Sequence, residues 1–201
     1  MKKPLLTLLL LSGLIMNSCN LFNNEFEGVQ GHVFDATTGQ PLAGARVWLL
    51  ETSNEWGIFG GGSSYWPIDS TLTDAQGAYS FTFENNSETS NAVYAIQEAY
   101  IVGNDYLGVL YGDTEADLYL TPQAWLKVHI QSTAEYGYIS INGFYDGPYY
   151  GNVDTTEIIS VDGNSFTQLT YFVYDGGELL FQDRVEIYCP AFDTTYYELL
   201  Y

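Results

Sequence analysis

Three carboxylates, Asp113, Glu115 and Asp117, recur at every second position of one short segment. On a strand that spacing sets all three on one face, and hard oxygen ligands so arranged could hold Ca²⁺. Leu118 and Leu120 take the opposite parity, so the acidic face reads as the solvated one. The twelve-residue calcium-loop pattern is absent. The expectation is no cofactor, with Ca²⁺ at these three residues as the alternative. Hydrolysis would need an activated nucleophile or a metal-bound water. His32 and His129 are the only histidines, each expected on the outward face of a strand. No zinc spacing of His or Cys occurs, and no Gly-x-Ser-x-Gly turn. Carboxylate pairs for glycoside chemistry stay open in a chain with 25 acids, yet a small sandwich offers no deep cleft for them. No catalytic residue is assigned, and the chain is expected not to be an enzyme. Cys189 shares strand parity with Val185 and Ile187 and reads as a small core residue.

Aromatic side chains are the other candidates. Trp56, Phe59, Tyr65 and Trp66 surround Gly60-Gly61-Gly62 in the segment 52–67, which lacks phosphate-loop spacing. Tyr145, Tyr149 and Tyr150 flank Gly147-Pro148, which excludes a regular central strand, so these three are expected on a loop. Rings on loops suit recognition of a glycan or a protein partner. The alternative is that they pack against the sheets.

Those loops must hang on strands. Val29, Gly31 and Val33 alternate with Gln30, His32 and Phe34, and Ala45, Val47 and Leu49 with Arg46, Trp48 and Leu50. Between them, Asp35 to Pro41 holds turn-forming Asp, Thr, Gly and Pro. Asp74 to Gly77 is a second turn, after which Tyr79, Phe81 and Phe83 share a face. The order Gly31-x-Val33-x-Asp35, then Thr38 to Val47, then Thr73 to Phe81 resembles the carboxypeptidase regulatory-like family. The resemblance implies a transthyretin-like seven-strand β-sandwich over residues 28–122, a non-catalytic module with no peptidase activity. The long segment 52–67 departs from the family pattern. Residues 123–201 carry alternating Leu126, Val128 and Ile130, and turns expected to be of hairpin type at Asp162-Gly163-Asn164 and Asp175-Gly176-Gly177. They predict a second β-sandwich, immunoglobulin- or fibronectin-like, so the fold class is all-β with two consecutive sandwiches.

The amino terminus reads as a leader. Lys2-Lys3 precede an apolar run, Leu5 to Met16, which is too short for a comfortable membrane span. Asn17-Ser18-Cys19 closes it and resembles a bacterial lipoprotein lipobox. That resemblance implies a signal peptide over 1–18 and lipidation of Cys19, with 19–27 as tether. Glu25 and Glu27 in that tether resemble surface-export signals of Bacteroidota lipoproteins. The implied address is the outer membrane. Membrane contact is expected through the lipid on Cys19.

Lys and Arg number 5 against 25 Asp and Glu, a formal charge of −20, and such a field repels nucleic acid. The expected partners are an envelope protein or a glycan. The functional expectation is a non-catalytic, lipid-anchored accessory, adhesion or protein-interaction module. The alternatives are a carbohydrate-binding surface lipoprotein and a structural subunit of an envelope assembly.

Overall fold

The structure, a computed structural model, describes residues 26–53, 64–84, 89–101, 107–110, 114–132, 137–142 and 147–201. Cys19, Trp56, Phe59, Asp113 and Tyr145 lie outside these residues. The described residues form fifteen β-strands. The first eight are β1 (Phe26–Asp35), β2 (Arg46–Ser53), β3 (Ser64–Leu72), β4 (Ala78–Glu84), β5 (Thr89–Ile96), β6 (Leu107–Leu110), β7 (Thr114–Glu115) and β8 (Leu118–Leu120). The other seven are β9 (Gln123–Gln131), β10 (Tyr138–Ile141), β11 (Tyr149–Tyr150), β12 (Asp154–Asp162), β13 (Ser165–Asp175), β14 (Glu178–Cys189) and β15 (Thr194–Leu200).

Period-two alternation builds two separate cores. In the first, Val29 and Val33 of β1 meet Val47 and Leu49 of β2, with Phe81, Val93, Leu118 and Leu120 around them. In the second, Leu126, Val128 and Ile130 of β9 meet Ile139, Leu169, Cys189 and Leu199. Each core lies between two sheets. The first pair is β4-β1-β7, with β8 continuing beside β1, and β3-β2-β5-β6. The second is β12-β9-β15 and β11-β10-β13-β14. The chain is therefore all-β, two sandwiches in tandem. The second is immunoglobulin-like in the broad sense of two packed sheets, and it repeats the strand order of the first. In both, the opening strand sits between the fourth strand and the last, antiparallel to one and parallel to the other.

The turn residues act as their chemistry predicts, with one correction. Gly176 and Gly177, at φ +57° and +88°, close the two-residue β13–β14 hairpin. Asp162-Gly163-Asn164 is not a hairpin turn: it carries the chain from β12 to β13 in the opposite sheet. β12 pairs with β9 instead, a choice made by the sheet and invisible to the turn.

This crossing turn also reaches the first sandwich. Asn164 donates to the Thr37 hydroxyl (3.0 Å), and Gly163 N–H to the Pro122 carbonyl (2.7 Å). Gln123 donates to the Ala99 carbonyl and accepts from Phe192 N–H. Tyr100 sets its ring edge-on to Phe192 at 5.4 Å while its hydroxyl donates to Asp35 (3.0 Å). The passage 121–123 is thus braced from both sides. A Cβ on Gly163 would lie 2.7 Å from Ala191 Cα and 2.9 Å from the Pro122 oxygen. Gly163→Ala is expected to cost about 2 kcal/mol, measured as a lower urea midpoint. An unchanged midpoint would mean that this brace is loose.

Candidate functional site

The residues that carry the family resemblance converge at one end of the first sandwich and are occupied with structure. Asp35, 5% exposed, accepts from Thr37 N–H (2.8 Å), the Thr37 hydroxyl (2.7 Å) and Thr38 N–H (2.8 Å). Burial pushes this carboxyl up, but these bonds and the one from Tyr100 outweigh it and hold it below the ordinary Asp range. The buried Thr73 hydroxyl accepts from Ala45 N–H (2.9 Å) and donates to the Leu42 carbonyl (2.5 Å), locking the second motif segment to the third.

Beside β1, the last strand breaks between β7 and β8. Ala116 tucks over Gly31, donating to the Gln30 carbonyl and accepting from the Tyr79 hydroxyl (2.5 Å). Burial, and Asp117 nearby, push the Tyr79 phenol well up. A groove of 630 Å³ opens here, lined in part by His32, Asp74, Glu115 and Asp117. Asp117 accepts from His32 N–H (2.9 Å) and lies 3.5 Å from Nδ1 of its ring. Glu115 and Asp117 flank the buried Ala116 and are both exposed, as their parity predicts. Among the described residues no group of three His, Cys, Asp or Glu side chains could hold a metal ion; Asp113 falls outside them. His129 faces outward on the second sandwich between Asp154 (2.8 Å) and Glu198 (3.7 Å).

The aromatic candidates are only partly where loops would put them. Tyr65 and Trp66 lie on β3, opposite Thr52 and Glu51, and are 40% and 39% exposed. Neighbours on both faces of that strand are exposed, and Trp66 Nε1 donates to Glu51 (3.3 Å). Tyr149 and Tyr150 form the short strand β11 beside β10, rather than a loop. Strand alternation separates them: Tyr149 packs on the second core, while Tyr150 turns outward, 68% exposed. The structure does not bring the two aromatic groups together, since they belong to sheets of different sandwiches.

Tyr150 instead joins two residues missed in the sequence. It pairs with Tyr138, which pairs with Tyr174 across β10 and β13. The Tyr138 and Tyr174 rings stack at 4.7 Å and 14°, and Tyr150 stands 5.2 Å from Tyr138, tilted 44°. These are upright rungs on neighbouring strands. Two of the ring faces are turned on each other, so the ladder is not the coplanar platform on which a sugar stacks. Beside it runs β14, the edge of the sheet. Leu179, Leu180 and Phe181 there are 51%, 61% and 45% exposed. The register slips so that Tyr174 pairs with Leu179 and Val173 with Phe181, leaving Leu180 as a bulge. Asp183, on the inward parity, is satisfied by the Tyr171 hydroxyl (3.1 Å) and Arg184 N–H (2.8 Å).

No protein-family model matches the chain, and no curated protein matches it in sequence. Among solved structures it is similar to the Bacillus anthracis TIE protein, at 9% identity over 88% of this chain, with a TM-score of 0.38. It spans only 33% of that protein. It is similar to the minor pilin of Streptococcus agalactiae at 10% identity, over 87% of this chain and 94% of that one, TM-score 0.38. A Streptococcal ancillary pilin gives 14% identity, 89% and 63% coverage, and a TM-score of 0.38. Likenesses this loose carry no functional assignment.

Proposed function

We propose that the chain is a non-catalytic, lipid-anchored module of the bacterial outer membrane that works by binding another protein. One observation carries this reading. The second sandwich ends in an edge strand with three consecutive apolar side chains exposed, beside a ladder of tyrosine rings. Apolar surface of that kind is a mark of protein contact, and Tyr combines apolar area with a hydroxyl that can bond across an interface. The lipobox-like stretch ending at Cys19 supports the anchor. For the first sandwich, the interlocked motif residues and the parallel pairing of its first and last strands support a carboxypeptidase regulatory-like domain. In this reading that domain is a spacer that carries the second sandwich away from the membrane.

The test is photo-crosslinking in intact cells from a reactive amino acid placed at Tyr150, with one at Thr82 on the first sandwich as control. A discrete protein adduct from Tyr150 and none from Thr82 is expected. Absence of a protein adduct, together with binding on a glycan array that Trp66→Ala abolishes, would replace this reading with the carbohydrate one.

A further inference from the structure

We infer that the free edge of β14 receives one extended strand of the partner, and that this strand is basic, with apolar residues at alternate positions. The inference deepens the protein-binding reading and rests on it. In the sheet order β11-β10-β13-β14, β14 pairs, among the described residues, with β13 alone. Its far half is closed off: Ile187 and Cys189 are buried, and the Thr195 hydroxyl reaches the Tyr188 carbonyl at 3.4 Å. The near half, Glu178 to Arg184, is exposed at every residue. Alternate N–H and C=O groups of such an edge point away from the sheet and await a partner.

Three other edges of the two sandwiches are blunted. β3 carries Pro67 and Asp69, β11 is two residues long, and the last strand of the first sandwich is interrupted at Ala116. β14 runs for twelve residues without proline. Its one irregularity, Leu180, leaves that residue without a cross-strand partner in β13.

Charge names the occupant. Within the described strands β13 and β14, Asp175, Glu178, Asp183 and Glu186 stand against a single cation, Arg184. With the Gln168 amide oxygen turned to it, the Arg184 guanidinium is already held at 3.0 and 3.1 Å. A second copy of the chain would bring the same carboxylates together, with a formal −20 on each chain. By the register with β13, Leu179 shares the face of Tyr174 while Glu178 and Asp183 share the opposite one, so a strand that alternates apolar residues with Lys or Arg meets Leu179 on one face and these acids on the other.

The test uses the full chain in detergent micelles at about 0.15 M salt, where long-range attraction is screened. The probes are three fluorescent octapeptides of alternating valine and lysine, valine and glutamate, and proline and lysine, read by anisotropy. The valine–lysine peptide is expected to bind at least about tenfold more tightly than either of the others. Leu180→Pro, placed at the bulge, is expected to remove that preference. Glu178→Lys with Glu186→Lys, both exposed and safe for folding, is expected to move it toward the glutamate peptide. Equal binding of both lysine peptides would reduce the effect to charge and overturn the proposal. So would a preference that the charge reversal leaves untouched, or a dimer of the chain dissolved by Leu180→Pro. If the peptides fail while Tyr150 still yields a protein adduct in cells, the edge mechanism falls and the protein-binding reading stands.

Discussion

Gly31→Ala is expected to destabilise the first sandwich by about 3 kcal/mol or more. A Cβ built on Gly31 lies 1.9 Å from the Ala116 carbonyl oxygen and 2.5 Å from its carbon. Both are backbone atoms, so no side-chain rotation relieves the contact. The oxygen is held by Tyr79 and the Ala116 N–H by Gln30, so moving the strap between β7 and β8 breaks both bonds. It also pulls Asp117 from His32 N–H. Chemical denaturation followed by tryptophan fluorescence measures the loss. A wild-type midpoint in the variant would show that the last strand does not cross over Gly31.

The second large effect is at Asp35. Asp35→Ala removes the acceptor of four hydrogen bonds, from Thr37 twice, Thr38 and Tyr100, and is expected to cost about 3 kcal/mol. It frees the Tyr100 hydroxyl, whose pKa now stands pushed up to about 12 by burial and by Asp35, and so loosens the ring that packs on Phe192. Because the folded state depresses the Asp35 pKa, the stabilisation is complete above the unfolded value of about 3.9. It is lost as pH falls from there through the lower folded pKa. Wild-type stability should therefore fall below about pH 4 with a component that Asp35→Asn lacks. Parallel curves for the two proteins through that window would refute the assignment.

Much of the local structure is legible in the residues. The alternation of Val29, Gly31 and Val33, or of Leu126, Val128 and Ile130, marks strand and inward face together, because the side-chain period of a strand is two. Asp35, Asp74 and Gly176-Gly177 announce their turns through short-range bonds and permitted φ. The aromatic candidates show where such reading ends. Tyr149 and Tyr150 are neighbours in the chain, yet one is packed on the core and the other is exposed, because Gly147-Pro148 leads into a strand and not a free loop. Tyr65 and Trp66, likewise assigned to a loop, belong to β3.

By itself, then, the sequence determined an all-β chain, its strand faces, its turn chemistry, and a strongly acidic surface. Tertiary structure alone decided which strands are neighbours. That choice set the ladder of Tyr150, Tyr138 and Tyr174, the constraint on Gly31, the crossing turn at Gly163 braced against Pro122, and the exposed edge of β14. The physical reason is that turns and alternation arise from contacts a few residues apart. Sheet order and register arise from pairings across tens of residues, where each strand selects among many partners of similar pattern.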